Sequence, residues 1–148
     1  MLKLAEMTLD DLYSEFDQME DWEERCDYLI DLGFQLPEMN SEDKTEENRV
    51  HGCQSHVWMA SLPETVVPGE PPRIHFQANS DAMIVSGLIA VITLMYNGKT
   101  AREILELDPR VVFKKLDLDK HLSSARRNGL SGMVQRIRHI AAESLAKA

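Results

Sequence analysis

The chain has 148 residues, enough for one domain that buries roughly two-thirds of its unfolded surface. Hydrophobic residues make up 43%, which fits a globular protein and excludes an intrinsically disordered one. A formal net charge of −9 argues against general nucleic-acid binding, because phosphate contacts need clustered lysine and arginine.

Thr8 opens "TLDDLYSEFDQM" with Asp11 three residues on, a variant of the capping box. Leu9, Leu12, Tyr13, Phe16 and Met19 then recur at helical spacing, so an amphipathic helix is expected. A second helix is predicted from Asp21, with Glu24 at the capping position, to Gly33. Trp22, Cys26, Leu29 and Ile30 share one of its faces, which makes Cys26 core filler. Residues 34–47 are a polar, acidic connection. Two strand-like runs follow, "SHVWMASL" from Ser55 and "RIHFQA" from Arg73, separated by the proline-rich loop "PETVVPGEPP".

Ser80 and Asp81 are expected to open an apolar helix from Ala82 to Tyr96, closed by Asn97-Gly98. Its run carries Ser86, Gly87, Thr93 and Asn97 and falls short of the ~20 apolar residues that span a bilayer, so it is a central buried helix. Thr100 with Glu103 caps a short helix before Asp108-Pro109, and Pro109 starts another, "PRVVFKKL". "SSARRNG" reads as a polar turn before a last helix with Leu130, Met133, Val134, Ile137, Ile140, Ala141 and Leu145 on one stripe. Arg126, Arg127, Arg136 and Arg138 read as the solvated side of a helix. The expected architecture is α+β, a small antiparallel sheet packed against several helices in a single domain over residues 1–148.

The start "MLKLAEMTLDDLY" lacks the apolar core of a secretory signal, so a reducing, cytoplasmic setting with free thiols is expected. Cys26 and Cys53 are the two cysteines; they form no CxxC and cannot alone build a structural zinc site. Cys53 sits in the polar run "EENRVHGCQSHVWM". If "NRVH" is a short strand, Gly52-Cys53 is a two-residue hairpin turn with glycine first. His51 then faces Gln54, and Arg49 faces His56. A thiol beside Arg49 and two imidazoles has the ingredients for sulfur chemistry, since positive charge favours the thiolate. A reactive thiol, an inert loop cysteine and a metal site of His51, Cys53 and His56 all stay open on these residues alone. A papain-like nucleophile is disfavoured, because "GCQS" offers no helix start after the cysteine.

The run "NRVHGCQSHVW" closely resembles the sulfur-acceptor motif of the SufE and CsdE proteins, which assist cysteine desulfurases in iron–sulfur cluster assembly. "WEERCDYLIDLGFQLPEM", "SDAMIVSGLIAVITLMYNGKTAREIL" and "HLSSARRNGLSGMVQRIR" fit the same family in order, so the likeness covers nearly the whole chain. The resemblance implies the α+β fold shared with IscU-type scaffolds. It places the acceptor on Cys53 and its supporting loop on Gly52, Gln54 and Ser55. Asp81 and Arg126 are implied as loop or partner contacts, with Arg126 just before the final helix. His51 departs from the uncharged residue common in the family, and position 56 varies.

The implied mechanism is transpersulfidation. A SufS-like or CsdA-like desulfurase, which itself holds the pyridoxal phosphate, forms a persulfide that Cys53 attacks. This chain then needs no cofactor or metal of its own and is an accessory protein rather than an independent enzyme. It passes sulfur to a scaffold such as SufBCD, as a monomer or homodimer, with no nucleic-acid or membrane partner. An exposed persulfide is open to small thiols, so the loop is expected to tuck Cys53 against the protein until docking. Two other readings compete. A cluster scaffold needs several ligands, typically three cysteines, and only Cys53 is free of a helix face. An interaction module with an incidental cysteine predicts that Cys53→Ser changes nothing.

Overall fold

The computed structural model describes residues 2–51 and 55–147. After a 3₁₀ turn at Leu4–Glu6 comes α1 (Leu9–Asp17) and then α2 (Trp22–Gly33). Thr8 and Asp11 form the expected reciprocal capping box. Asp21 caps α2 by accepting the Glu24 amide at 2.9 Å. Leu12 and Phe16 of α1 and Leu29 and Leu32 of α2 are buried.

The strands follow as β1 (Val57–Thr65) and β2 (Arg73–Ser80), paired antiparallel from Val57–Ser80 to Thr65–Arg73 with an irregularity after Leu62. β1 therefore runs three residues further into the proline-rich segment than its sequence suggests. A two-residue β3 (Lys99–Thr100), too short to leave a sequence signal, completes the sheet on β2.

Between β2 and β3 runs α3 (Met83–Tyr96), whose Leu88–Ile92 stretch is essentially sealed from solvent. Its crossing with α2 is close enough to require glycine on both sides. A Cβ on Gly33 would lie 2.7 Å from the Gly87 amide nitrogen, and one on Gly87 would lie 2.6 Å from the Leu29 carbonyl oxygen. The expected cap of α3 differs: Ala82 holds the cap position without a side-chain bond, Ser80 accepts the Ala82 amide, and Asp81 turns elsewhere.

The remaining helices are α4 (Ala101–Glu106), α5 (Pro109–Lys115), α6 (Leu118–His121) and α7 (Ser124–Lys147). Thr100 and Glu103 form the second capping box, and Asp108 caps α5 ahead of Pro109. The polar run "SSARRNG" is not a turn. Ser123 Oγ accepts the Arg126 amide at 3.3 Å and the helix starts there, running straight through buried Gly129 and Leu130. Packing offsets the ~1 kcal/mol that a mid-helix glycine costs. Arg126 consequently lies in the first turn of α7 rather than ahead of it.

The arginines of α7 also depart from a solvated face. Arg138 donates to the carbonyls of Ile104, Leu105 and Leu107, closing the end of α4. Arg136 donates to the carbonyls of Glu47 and Arg49. Arg127 donates to the Asp119 carbonyl. Among the described residues no helix is long and apolar enough to cross a membrane.

Candidate functional site

The segment leading to the acceptor motif is a single bridge rather than a strand. Arg49 pairs with Trp58, the Val50 amide donates to the Val57 carbonyl at 2.8 Å, and the Met59 amide donates to the Asn48 carbonyl at 2.7 Å. This register is two residues away from the one a Gly52-Cys53 turn demands. It opposes His51 to His56 and leaves residues 52–55 between them. Hydrophobic pairing explains the choice: Val50 and Val57 are 5% and 0% exposed, and the expected register would have set Val50 against Ser55. Arg49 therefore does not face His56. Gly52, Cys53 and Gln54, with the expected turn and the His51–Gln54 pair, lie outside the described residues.

The flanks carry two imidazole–carboxylate pairs. On one side, Glu46 lies 3.2 Å from His51 Nε2 and 3.9 Å from Arg49. On the other, Asp81 meets His56 three times. The His56 amide donates to Oδ1 at 3.0 Å, His56 Nδ1 lies 2.9 Å from Oδ2, and the Asp81 amide donates back to the His56 carbonyl at 3.3 Å. The His56 hydrogen bond, above all, holds the Asp81 carboxyl below the ordinary aspartate range. Trp58 stacks on the His56 ring, with centroids 5.7 Å apart and planes within 13°, and the Lys44 ammonium lies 5.5 Å from the Trp58 ring centre.

Ser55 borders a cavity of about 30 Å³ that is also lined by Val85, Leu88, Ala125, Arg126, Gly129, Leu130 and Met133. The structure thus gathers Ser55 with Arg126, and His56 with Asp81, at the meeting of β1, α3 and α7. Cys26 is not core filler. It is a free, half-buried thiol on α2; burial and Asp27 push its pKa up, while the Arg126 guanidinium opposes them. Two anchors escaped the sequence reading. Glu46 had a weak signal, standing three residues before Arg49, whereas Arg136 had none, because it acts across 87 residues of chain.

Residues 10–141 match the SufE family, described as an Fe-S metabolism associated domain. The chain belongs to the SufE family. It is 44% identical to an uncharacterized SufE-like protein of Rhizobium etli over 92% of this chain and 90% of that one. A second SufE-like protein, from Rhizobium meliloti, is 41% identical over 88% and 92% of the two chains. The solution structure of a hypothetical protein from Thermus thermophilus covers 95% of this chain and 99% of its own, with a TM-score of 0.68 at 21% identity. That likeness shows the α+β fold. Membership of the SufE family places this protein in iron–sulfur metabolism, within a family of sulfur acceptors.

Proposed function

We propose that this SufE-family chain accepts persulfide sulfur on Cys53 from a pyridoxal-phosphate-dependent cysteine desulfurase, SufS-like or CsdA-like, stimulates that enzyme, and passes the sulfur to a cluster scaffold such as SufBCD. The observation that carries the reading is the family match across residues 10–141, which spans the "HGCQS" motif. The thiols support it. Cys26 is half-buried with a raised pKa, the wrong direction for a nucleophile at neutral pH, and Cys53 is the remaining thiol.

Transfer follows the logic of thiol–disulfide exchange. The Cys53 thiolate attacks the outer sulfur of the desulfurase persulfide, and the desulfurase cysteine departs as a thiolate. The small cavity that Ser55 borders, with Val85, Leu88, Leu130 and Met133 in its lining, supports shelter for the persulfide in the free chain. Intact mass after incubation with desulfurase, cysteine and pyridoxal phosphate tests the reading. One added sulfur on the native chain and on Cys26→Ser, but not on Cys53→Ser, is expected. No added sulfur with several desulfurases, and no rise in their alanine output, would overturn it.

A further inference from the structure

We propose that a second cavity, lined by β1, β2, α3, α4 and the N-terminal turn, binds a small amphipathic monoanion, an apolar body with one carboxylate. The site is independent of the acceptor motif and of the sulfur-carrier reading.

This cavity has a volume of about 950 Å³, and its lining shares no residue with the cavity that Ser55 borders. Small-molecule sites commonly hold roughly 300–1,000 Å³ and are lined mainly by apolar side chains. A protein partner would instead need exposed apolar anchors around the opening. Among the described residues, Leu62 is the one strongly exposed large apolar side chain in the lining; Phe34, Val66, Met83 and Val111 stand outside it. The apolar lining is drawn from the core. Leu4, Met7, Phe76, Ala78 and Met95 all take part, and each is between 2% and 8% exposed. Protein interiors leave few voids larger than a water molecule, so this is room the fold does not fill.

The polar lining selects the ligand class. Much of it is spent on the protein's own backbone. Thr8 Oγ accepts the Asp11 amide at 3.2 Å, Gln77 donates to the Pro37 carbonyl at 3.3 Å, and Thr93 donates to the Ile89 carbonyl at 2.8 Å. A ligand that fits must therefore be apolar over most of its surface.

Asn97 and Lys99 differ from these. Asn97 Oδ1 accepts the Phe76 amide at 3.0 Å, which leaves both Nδ2 protons as donors. Neither those protons nor the Lys99 ammonium has a hydrogen-bond acceptor among the described residues. Two acids also line the cavity. Glu103 Oε1 accepts the Thr100 amide at 3.0 Å and lies 3.9 Å from Arg73. The Thr100 backbone bond, first, holds the Glu103 carboxyl below the ordinary range, and Lys99 and Arg73 add to it. The two cations thus outweigh Glu103 by one positive charge. Asp10 belongs to the first turn of α1, where the helix N-terminus favours an anion. Unused donors beside one excess positive charge fit a single carboxylate, and in a chain of net charge −9 they do not fit a second.

The test titrates decanoate, and decanol as its uncharged counterpart, into the full chain while amide chemical shifts are followed. Saturable one-to-one binding is expected, with the largest shifts at residues 76–78 and 93–99. Decanol should bind about five-fold more weakly than decanoate, the effect of one partly exposed charge contact. Lys99 is exposed on β3, so Lys99→Gln spares the fold. That variant should bind decanoate about as weakly as decanol, leave the decanol affinity unchanged, and accept sulfur at the native rate. No saturation below about 1 mM would make the opening empty space or a protein-contact cleft and would overturn the proposal. So would equal affinity for the two probes in the native chain. Shifts gathered around Phe34, Val66 and Met83 would mean adsorption to exposed apolar side chains, and would also sink it.

Discussion

Arg136, in the middle of α7, donates to the main-chain carbonyl of Arg49 at 3.1 Å, and its second nitrogen donates to the carbonyl of Glu47 at 2.8 Å. The segment entering the acceptor motif has only a single bridge to hold it to β1, so this guanidinium fork is a large part of what fixes it. Charge-assisted bonds of this kind contribute about 1.5–3 kcal/mol each when buried, and less at a half-exposed site. Arg136→Ala should cost about 1–2 kcal/mol, a fall in Tm of roughly 2–6 °C. Hydrogen exchange of the Val50 and Met59 amides should rise with it. Arg136→Lys should recover only part, since an ammonium cannot span both carbonyls. Unchanged exchange at these amides in Arg136→Ala would mean that the valine pairing alone holds the segment.

Two glycines, Gly87 at the α2–α3 crossing and Gly132 in α7, should respond differently to a methyl group. A methyl at Gly87 meets the Leu29 carbonyl oxygen at 2.6 Å, an atom of helix backbone that cannot rotate away. Gly87→Ala should therefore destabilise by about 2–3 kcal/mol despite its better helix propensity. Gly132, also inside a helix, would place its methyl 3.4 Å from the His51 carbonyl oxygen and 3.5 Å from Val50. There the propensity gain dominates, and Gly132→Ala should be neutral or stabilising by up to about 1 kcal/mol. Equilibrium urea unfolding of the two variants reads both signs.

Which parts of this structure the sequence announces follows from the range of the forces involved. Thr8 with Asp11, Thr100 with Glu103, and Asp108 ahead of Pro109 are bonds made within three residues, and each appears where its motif stands. The apolar run of α3 likewise announces a buried helix, and the antiparallel β1–β2 pair follows from two short runs. Non-local choices are silent. The start of α7 depends on packing around Gly129, and the bridge register depends on Val50 meeting Val57 in the core. His56 and Asp81 stand 25 residues apart, and a capping role was the nearer reading for Asp81. At the candidate site, then, the motif is legible residue by residue, while the partners that orient its histidines are legible only in three dimensions.

Cys26 offers a test of the thiol assignment that needs no partner protein. Burial raises its pKa first, Asp27 adds to the rise, and Arg126 opposes both. Its alkylation in a Cys53→Ser chain should be slower at pH 8 than that of a free cysteine, with a midpoint above the ordinary ~8.5. Arg126→Gln should slow it further, by about two-fold, because it removes the one charge that favours the thiolate. A Cys26 that labels as fast as free cysteine at pH 8 would contradict the burial described here and bring a second candidate acceptor into play.

Acid stability should depend on a few identifiable carboxylates. The His56 hydrogen bond lowers the pKa of Asp81, and the Thr100 backbone bond lowers that of Glu103. A carboxylate whose folded pKa lies below its unfolded one binds fewer protons in the native state. Its stabilising contribution is complete above the unfolded value, about 3.9 for aspartate and 4.3 for glutamate, and is lost as pH falls through the folded value. The chain should therefore lose stability below about pH 4.5, and the slope of unfolding free energy against pH should flatten in an Asp81→Asn, Glu103→Gln double variant. Both side chains are about half exposed, so salt should weaken the effect. Carboxyl-carbon NMR titration assigns the two groups directly. An Asp81 carboxyl that titrates at the ordinary value would mean that the His56 contact is not maintained in solution.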